Sequence, residues 1–315
     1  MSCKRAILFA FLILSLFSLS LMVSAKRMTA NAQASQQRVV VFAVFGASGQ
    51  ISARMEPILV IEGGQFKEPV SGGSDGAEID SFSKAHYGKG QKYRVIFGGA
   101  EAGTATVTKS SRDEECFRTG ADISLQSTAR LNSNVMALAT SSSSLGLAAS
   151  ERSRRAPTAS ERSQALELAR AAFKQQGVAP SLLPGIEVLN LTAIDLDRDG
   201  KMELAGSFIA SKRTRKQERY ILFLLAAPDG TSFRVAVSNY SKYTEDQIMS
   251  GASINAINEG VYVERLVDHA DLDGDRVSEL VTTETGLEGV NYYIYKKQGG
   301  AWTKTYEFGN YRCAF

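Results

Sequence analysis

Two stretches of the sequence carry carboxylates at a spacing suited to holding a metal ion. The first is Asp195-Leu196-Asp197-Arg198-Asp199-Gly200-Lys201-Met202-Glu203-Leu204, and the second is Asp271-Leu272-Asp273-Gly274-Asp275-Arg276-Val277-Ser278-Glu279-Leu280. Both place acidic residues at positions 1, 3, 5 and 9, so the turn is an internal repeat. In a tight loop alternate residues aim their side chains at one centre. Asp195, Asp197 and Asp199, or Asp271, Asp273 and Asp275, would supply carboxylate oxygens. The carbonyl of Lys201 or Val277 can add an oxygen at position 7, and Glu203 or Glu279 another at position 9. An all-oxygen cage suits Ca²⁺, a hard cation that takes about six to eight oxygens, with water completing the shell. Without a cation, four clustered carboxylates repel one another, which argues against a purely structural acidic turn. Gly200 and Gly274 supply the permissive backbone that a sharp turn needs.

An EF-hand is the nearest competitor and fails at a named position. Its loop ends in a bidentate Glu at position 12, where this chain has Gly206 and Thr282. The same missing ligand disfavours a dockerin-like loop, and the flanking segments are β-type rather than helical. The two turns resemble instead the calcium loops of FG-GAP or VCBS-type repeats, the integrin-like propeller repeats in which a D-x-D-x-D-G-x-x-[DE]-[LI] turn joins two strands of a four-stranded blade. Tyr292-Tyr293-Ile294-Tyr295 and Gly300-Ala301-Trp302 look like later strands of such a blade. The resemblance implies two Ca²⁺ sites, with ligands Asp195, Asp197, Asp199, the Lys201 carbonyl and Glu203 in one, and Asp271, Asp273, Asp275, the Val277 carbonyl and Glu279 in the other. Two departures stand out. Arg276 replaces the usual Gly, and two repeats are visible where a closed propeller has several blades.

The elements that must position these loops are legible as apolar runs. Eight β-type segments follow Ile186: 186–194, 203–210, 220–226, 233–237, 261–267, 279–283, 292–296 and 302–308. They divide into two groups of four, and each group opens with the same acidic turn. One helix precedes them. Thr158 and Glu161 have the capping-box spacing, Ala165, Leu166, Ala169, Ala172 and Phe173 share a face, and Gly177 is the stop. That stripe predicts packing on the second sheet system.

Upstream, residues 35–138 predict an all-β domain with strands near 38–45, 55–61, 93–97 and 104–108, broken by Gly pairs and without helical periodicity. Residues 139–157 are Ser-rich and end in Arg152, Arg154 and Arg155, which predicts a flexible, solvated linker. The fold class expected is therefore mainly β: an N-terminal β domain, a linker, one α-helix, and two four-stranded antiparallel units resembling propeller blades over 158–315.

Residues 1–34 read as a secretory signal peptide: Lys4 and Arg5, an apolar stretch from Ala6 to Val23, and small residues before cleavage after Ala25 or Ala34. The mature chain then has no transmembrane segment and works in the periplasm or outside the cell. Cleavage after Ala34 removes four basic residues and leaves 32 against 33 acidic ones, a balance of −1, which excludes a general nucleic-acid binder. Cys116 and Cys313 are the mature cysteines, either bridged or unpaired in separate cores.

Signals for catalysis are weak. His86 and His269 are the two histidines, and no Gly-x-Ser-x-Gly elbow supplies a nucleophile beside Asp268-His269. Residues 98–104 (GGAEAGT) have Thr104 where a phosphate loop needs Lys, and read as a turn. Two cysteines and two distant histidines make no zinc site. Lys212, Arg213, Arg215, Lys216 and Arg219 predict a solvated basic hairpin, with an anionic polysaccharide or lipid headgroup as its alternative ligand. The preferred expectation is a secreted, calcium-binding, non-enzymatic binding or structural protein of the bacterial envelope or exterior, whose partner would be an extracellular protein or polysaccharide. The rival is a secreted polysaccharide hydrolase with calcium as a structural ion, for which paired carboxylates in a cleft outside the two loops would speak.

Overall fold

A computed structural model describes residues 38–46, 53–70, 76–132, 134–143, 145, 153–248 and 252–312. The expected signal peptide lies outside these residues. No helix among them is long and apolar enough to cross a membrane. The chain is mainly β and its sheets are antiparallel.

The N-terminal region folds as β1 (Val39–Phe45), β2 (Ala53–Glu62), β3 (Gln65–Lys67), β4 (Lys92–Phe97), β5 (Ala100–Ser110), β6 (Ala121–Ser127) and β7 (Ala137–Thr140). Six of these strands run in the order β1-β7-β4-β5-β6-β2, and β1 pairs back onto β2, closing a barrel with β3 appended. Closure gives each of those six strands a hydrogen-bonded neighbour on both sides. Val41, Phe42, Val44, Met55, Leu59, Val95 and Leu138 are fully buried within it.

Two expectations for this region need correction. Helix α1 (Gly76–His86) interrupts the strands, so the domain is not all-β and the chain has a second helix. Its apolar face is narrow: Ile79 and Phe82 are buried, and Phe82 packs against Phe42 and Tyr87. Two large side chains in a segment otherwise made of Ala, Ser and charged residues give little periodicity to detect. The barrel also extends past residue 138. Ala137–Thr140 is fully buried and pairs with both β1 and β4.

The far end of the expected linker is ordered too, as β8 (Arg154–Arg155), which pairs with β9 (Glu187–Ile194). Arg154 is not solvated: at 8% exposure it donates to the Met136 carbonyl (3.1 Å) and the Val267 carbonyl (2.8 Å), and lies over the Phe97 ring. Arg155 pairs with Glu161 at 2.7 Å. Arg152 lies outside the described residues. Helix α2 (Ala159–Gln175) follows as expected, with the Thr158–Glu161 capping box formed and Ala165, Ala169, Ala172 and Phe173 buried. Arg155, and then the capping amide, hold the Glu161 carboxyl at about 2.

Two four-stranded meanders complete the fold. The first is β9, β10 (Glu203–Lys212), β11 (Glu218–Asp229) and β12 (Ser232–Thr244), with β8 added at its edge; the second is β13 (Glu264–Ala270), β14 (Glu279–Thr285), β15 (Gly289–Gln298) and β16 (Ala301–Tyr311). Because side chains alternate across a strand, each sheet has two working faces. Leu204, Phe208, Leu222 and Leu224 face α2. Ala205, Phe223 and Leu225 face Leu266, Leu280, Tyr293 and Tyr295 of the second meander. The other face of that meander, with Val267, Val281, Tyr292 and Ile294, joins the barrel core. The layers therefore run helix, first meander, second meander, barrel. Burial on both faces explains why β11 reads as an unbroken apolar run.

Polar groups fasten the second meander to the barrel. The Tyr292 hydroxyl donates to the buried Glu56 carboxylate, which Arg312 also pairs. Cys116 is disulfide-bonded. Cys313 lies outside the described residues, but its chain neighbour Arg312 stands 5.0 Å over the ring of Phe117, the residue after Cys116. Arg219 departs from the expected solvated hairpin. It is 1% exposed, with its guanidinium held by Asn258 and Asn255 at 2.8 Å each.

Candidate metal centres

Each acidic turn joins the first and second strands of its meander, β9 to β10 and β13 to β14. The local backbone is the same in both, reached with different residues. Positions 4 and 6 have positive φ in each: Arg198 at 59° and Gly200 at 81°, Gly274 at 83° and Arg276 at 76°. Glycine adopts this region without the steric cost that a Cβ brings. The copies have thus exchanged which of the two positions carries it, and Arg276 holds the conformation expected of a glycine there.

The position-1 carboxylates organise the turns. Asp195 accepts the N–H groups of Asp199 (3.2 Å) and Gly200 (3.0 Å), and Asp271 those of Gly274 (2.8 Å) and Arg276 (3.1 Å). Position 5 fixes position 7: the Lys201 N–H donates to Asp199 and the Val277 N–H to Asp275, both at 2.8 Å. Position 9 reaches back to position 2. Glu203 accepts the Leu196 N–H at 3.1 Å and Glu279 the Leu272 N–H at 2.7 Å. The leucines at position 2 anchor the loops: Leu196 sits between the two meanders, and Leu272 enters the barrel core. The turns also touch each other, through the Ser278 N–H to the Leu196 carbonyl at 2.7 Å.

Not every expected ligand converges equally. Oxygens of Asp195, Asp197 and Asp199 lie within 4.8 Å of one another in the first turn, and those of Asp271, Asp273 and Glu279 in the second. Glu203 stands outside the first trio and Asp275 outside the second. Burial, reinforced by Asp197, pushes the Glu203 carboxyl up to about 7; burial, reinforced by Asp275 and Asp271, pushes Glu279 up to about 8. Both shifts are chiefly the cost of burying a charged carboxylate, with repulsion from neighbouring carboxylates adding to it, and a bound cation would oppose both. One Asp197 oxygen is buried without a hydrogen-bond partner.

Two lysines that sequence reasoning did not single out enter the sites. Lys296 and Lys297 are neighbours on β15, and alternation sends them to opposite faces. The Lys297 ammonium lies 2.9 Å from Asp197 in the first turn. Lys296 pairs with Asp273 and lies 3.4 Å from Asp275 and 4.0 Å from Glu279 in the second. A Lys-Lys pair ending a strand beside two acidic turns was the available signal.

The histidines fall elsewhere. Burial lowers the His86 pKa, and its ring packs on Phe82. His269 is fully buried, with its Nε2 2.6 Å from the Ser153 hydroxyl. Asp268 beside it accepts the Gly98 N–H at 2.9 Å and faces Arg154 at 3.4 Å. These are the residue types of an acyl-transfer triad. Here Asp268 also lies 3.3 Å from the His269 Nδ1, so the three side chains stand in triad order around a fully buried imidazole. With the Gly98 and Arg154 contacts they fasten the β4–β5 turn, the start of β8 and β13 together. Gly98-Gly99 is that turn, as the sequence predicts.

Comparison with protein-family models, curated proteins and solved structures returns no match to this chain.

Proposed function

We propose that the protein is an exported, calcium-stabilised, non-enzymatic binding or structural module, whose two acidic turns each hold one Ca²⁺ ion in the manner of FG-GAP or VCBS-type blades. The observation that carries this is the recurrence of one turn, with the same positive-φ positions and the same position-9-to-position-2 hydrogen bond, at the same point of two four-stranded meanders. Asp195, Asp197 and Asp199 would be the core ligands of the first site, Asp271, Asp273 and Glu279 those of the second, with Glu203, Asp275 and the carbonyls of Lys201 and Val277 completing them. The oxygen-only donor set suits a hard divalent cation. The stacked faces support a blade-like role for the meanders, the barrel covering the face where a further blade would pack. Extracellular Ca²⁺ fills even a site with a dissociation constant of about 10⁻⁴ to 10⁻³ M, so the ion would act chiefly on stability.

The rival hydrolase draws on one carboxylate pair outside the turns, Glu264 and Glu284, which oppose each other across β13 and β14. Glu264 accepts from Thr282 (2.6 Å), Tyr295 (2.8 Å) and Asn239 (2.8 Å). With both oxygens tied in this way, Glu264 is held by its own protein donors and is poorly placed to exchange a proton with a substrate. Titrating the purified chain with Ca²⁺ by calorimetry tests the proposal. Two equivalents are expected, falling to one in Asp195→Ala and in Asp271→Ala; absence of binding, or Mg²⁺ binding of equal strength, would contradict it.

A further inference from the structure

A cleft of about 160 Å³ opens between the two meanders, and none of its lining residues belongs to either acidic turn. A cavity of about 150 Å³ accommodates a six-membered carbon ring. The cleft therefore admits about one six-membered ring and little more.

Its walls combine ring faces with charged groups of both signs. Phe223 and Tyr293 come from the facing sheets, and Tyr262 closes one side, its ring stacked on Tyr243 at 4.9 Å. Glu264 is held immobile by its three donors. Glu284, directly opposite, forms no hydrogen bond or ion pair with any described residue, which leaves its oxygens available as acceptors. Like charges facing across a ladder repel. Burial first, and then the Glu264 charge, push the Glu284 carboxyl up to about 7.

Lys304 determines which ligand class fits. Its ammonium pairs with Glu307 at 3.0 Å, lies 4.3 Å from the Tyr293 ring centroid and offsets the charge of both Glu264 and Glu284, leaving further N–H donors for a ligand. An aromatic wall beside two carboxylates would otherwise suit an organic cation. Here the protein's own ammonium already takes that position, and a second would be repelled. A ligand must then be uncharged, offer hydroxyls to an acceptor and a donor, and present a compact ring to aromatic walls.

We infer that this cleft binds a neutral polyhydroxylated ring, a single pyranose sugar unit, with Glu284 accepting and Lys304 donating hydrogen bonds. The site is independent of the metal proposal, since it uses no residue of either turn.

The test is ligand-observed NMR titration of the full chain with methyl glucopyranoside, methyl galactopyranoside and myo-inositol, and with choline as the cationic probe, in Ca²⁺ and in chelator. Ser241 lines the same cleft on the edge strand β12, where a larger side chain can be introduced without disturbing a sheet interior. At a pH above about 7, where Glu284 is ionised, at least one neutral ring should bind saturably, about tenfold more weakly in Glu284→Gln, as for a lost hydrogen bond to a charged group, and not at all in Ser241→Phe. Circular dichroism confirms that both variants are folded. Failure of all three rings to bind, binding that survives Ser241→Phe, or preferential binding of choline would overturn the assignment.

Discussion

The two acidic turns have the same backbone and the same ligand spacing, yet they sit in different surroundings. Positions 3, 5 and 9 match in burial, with Glu203 3% and Glu279 1% exposed; the difference lies at position 1, where Asp195 is half-buried and Asp271 is 5% exposed. The cause is the layering. The second turn belongs to the meander sandwiched between barrel and first meander, and its Leu272 reaches the barrel core, whereas the first turn has only one such neighbour. The lysines differ accordingly: Lys297 meets one carboxylate of the first turn, while Lys296 stands among three of the second. A repeated motif thus meets the protein's own cations in two ways: Lys297 and Lys201 each take a separate carboxylate of the first turn, and Lys296 alone stands among three of the second. Ligand spacing sets which ion fits, and the packing around the loop sets how strongly the protein competes for the same carboxylates.

The largest expected effect comes from the anchors. Leu196→Ala and Leu272→Ala should each cost about 2–5 kcal/mol, as buried Leu truncations do. Hydrogen exchange should then separate the two. Leu196→Ala loosens the contact between meanders, and Leu272→Ala loosens the contact with the barrel; identical exchange patterns would break the distinction between the turns. Next in size is the lysine effect. Lys296→Met should tighten Ca²⁺ binding at the second turn about tenfold, or about 1.4 kcal/mol, and Lys297→Met should tighten the first by less. Equal changes, or none, would show that the internal cations do not compete. The smallest effect concerns the exchanged glycine. Gly200→Ala should destabilise by about 1 kcal/mol, because a Cβ is disfavoured at positive φ. Arg276→Gly should be neutral or stabilising by less than that, since relief at φ 76° is offset by the entropy of a freer unfolded chain. Denaturant midpoints measure both.

Much of the second half was legible because its signals are local. Strands expected at 203–210, 279–283 and 302–308 appear as Glu203–Lys212, Glu279–Thr285 and Ala301–Tyr311, and the capping box of Thr158 with Glu161 needs only four residues to be recognised. The turns were legible for the same reason, their ligands lying within nine positions. What escaped depends on partners far along the chain. Arg154 looks like a solvated charge until Val267 and Phe97 come against it, and Ala137–Thr140 looks like a linker edge until β1 and β4 flank it. Arg219 is buried by Asn255 and Asn258, beyond any hairpin signal. Glu264 and Glu284 are twenty residues apart and meet only through the β13–β14 register, so no motif announces their pairing.

Thermal unfolding of the purified chain in Ca²⁺ and in excess chelator decides whether the turns hold calcium, with the Asp195→Ala/Asp271→Ala variant measured alongside. An ion at about 100 times its dissociation constant adds about 2.7 kcal/mol per site, so Ca²⁺ should raise the wild-type melting temperature by about 5 °C or more and leave the variant unmoved. A wild-type melting temperature indifferent to both Ca²⁺ and chelator would contradict the account.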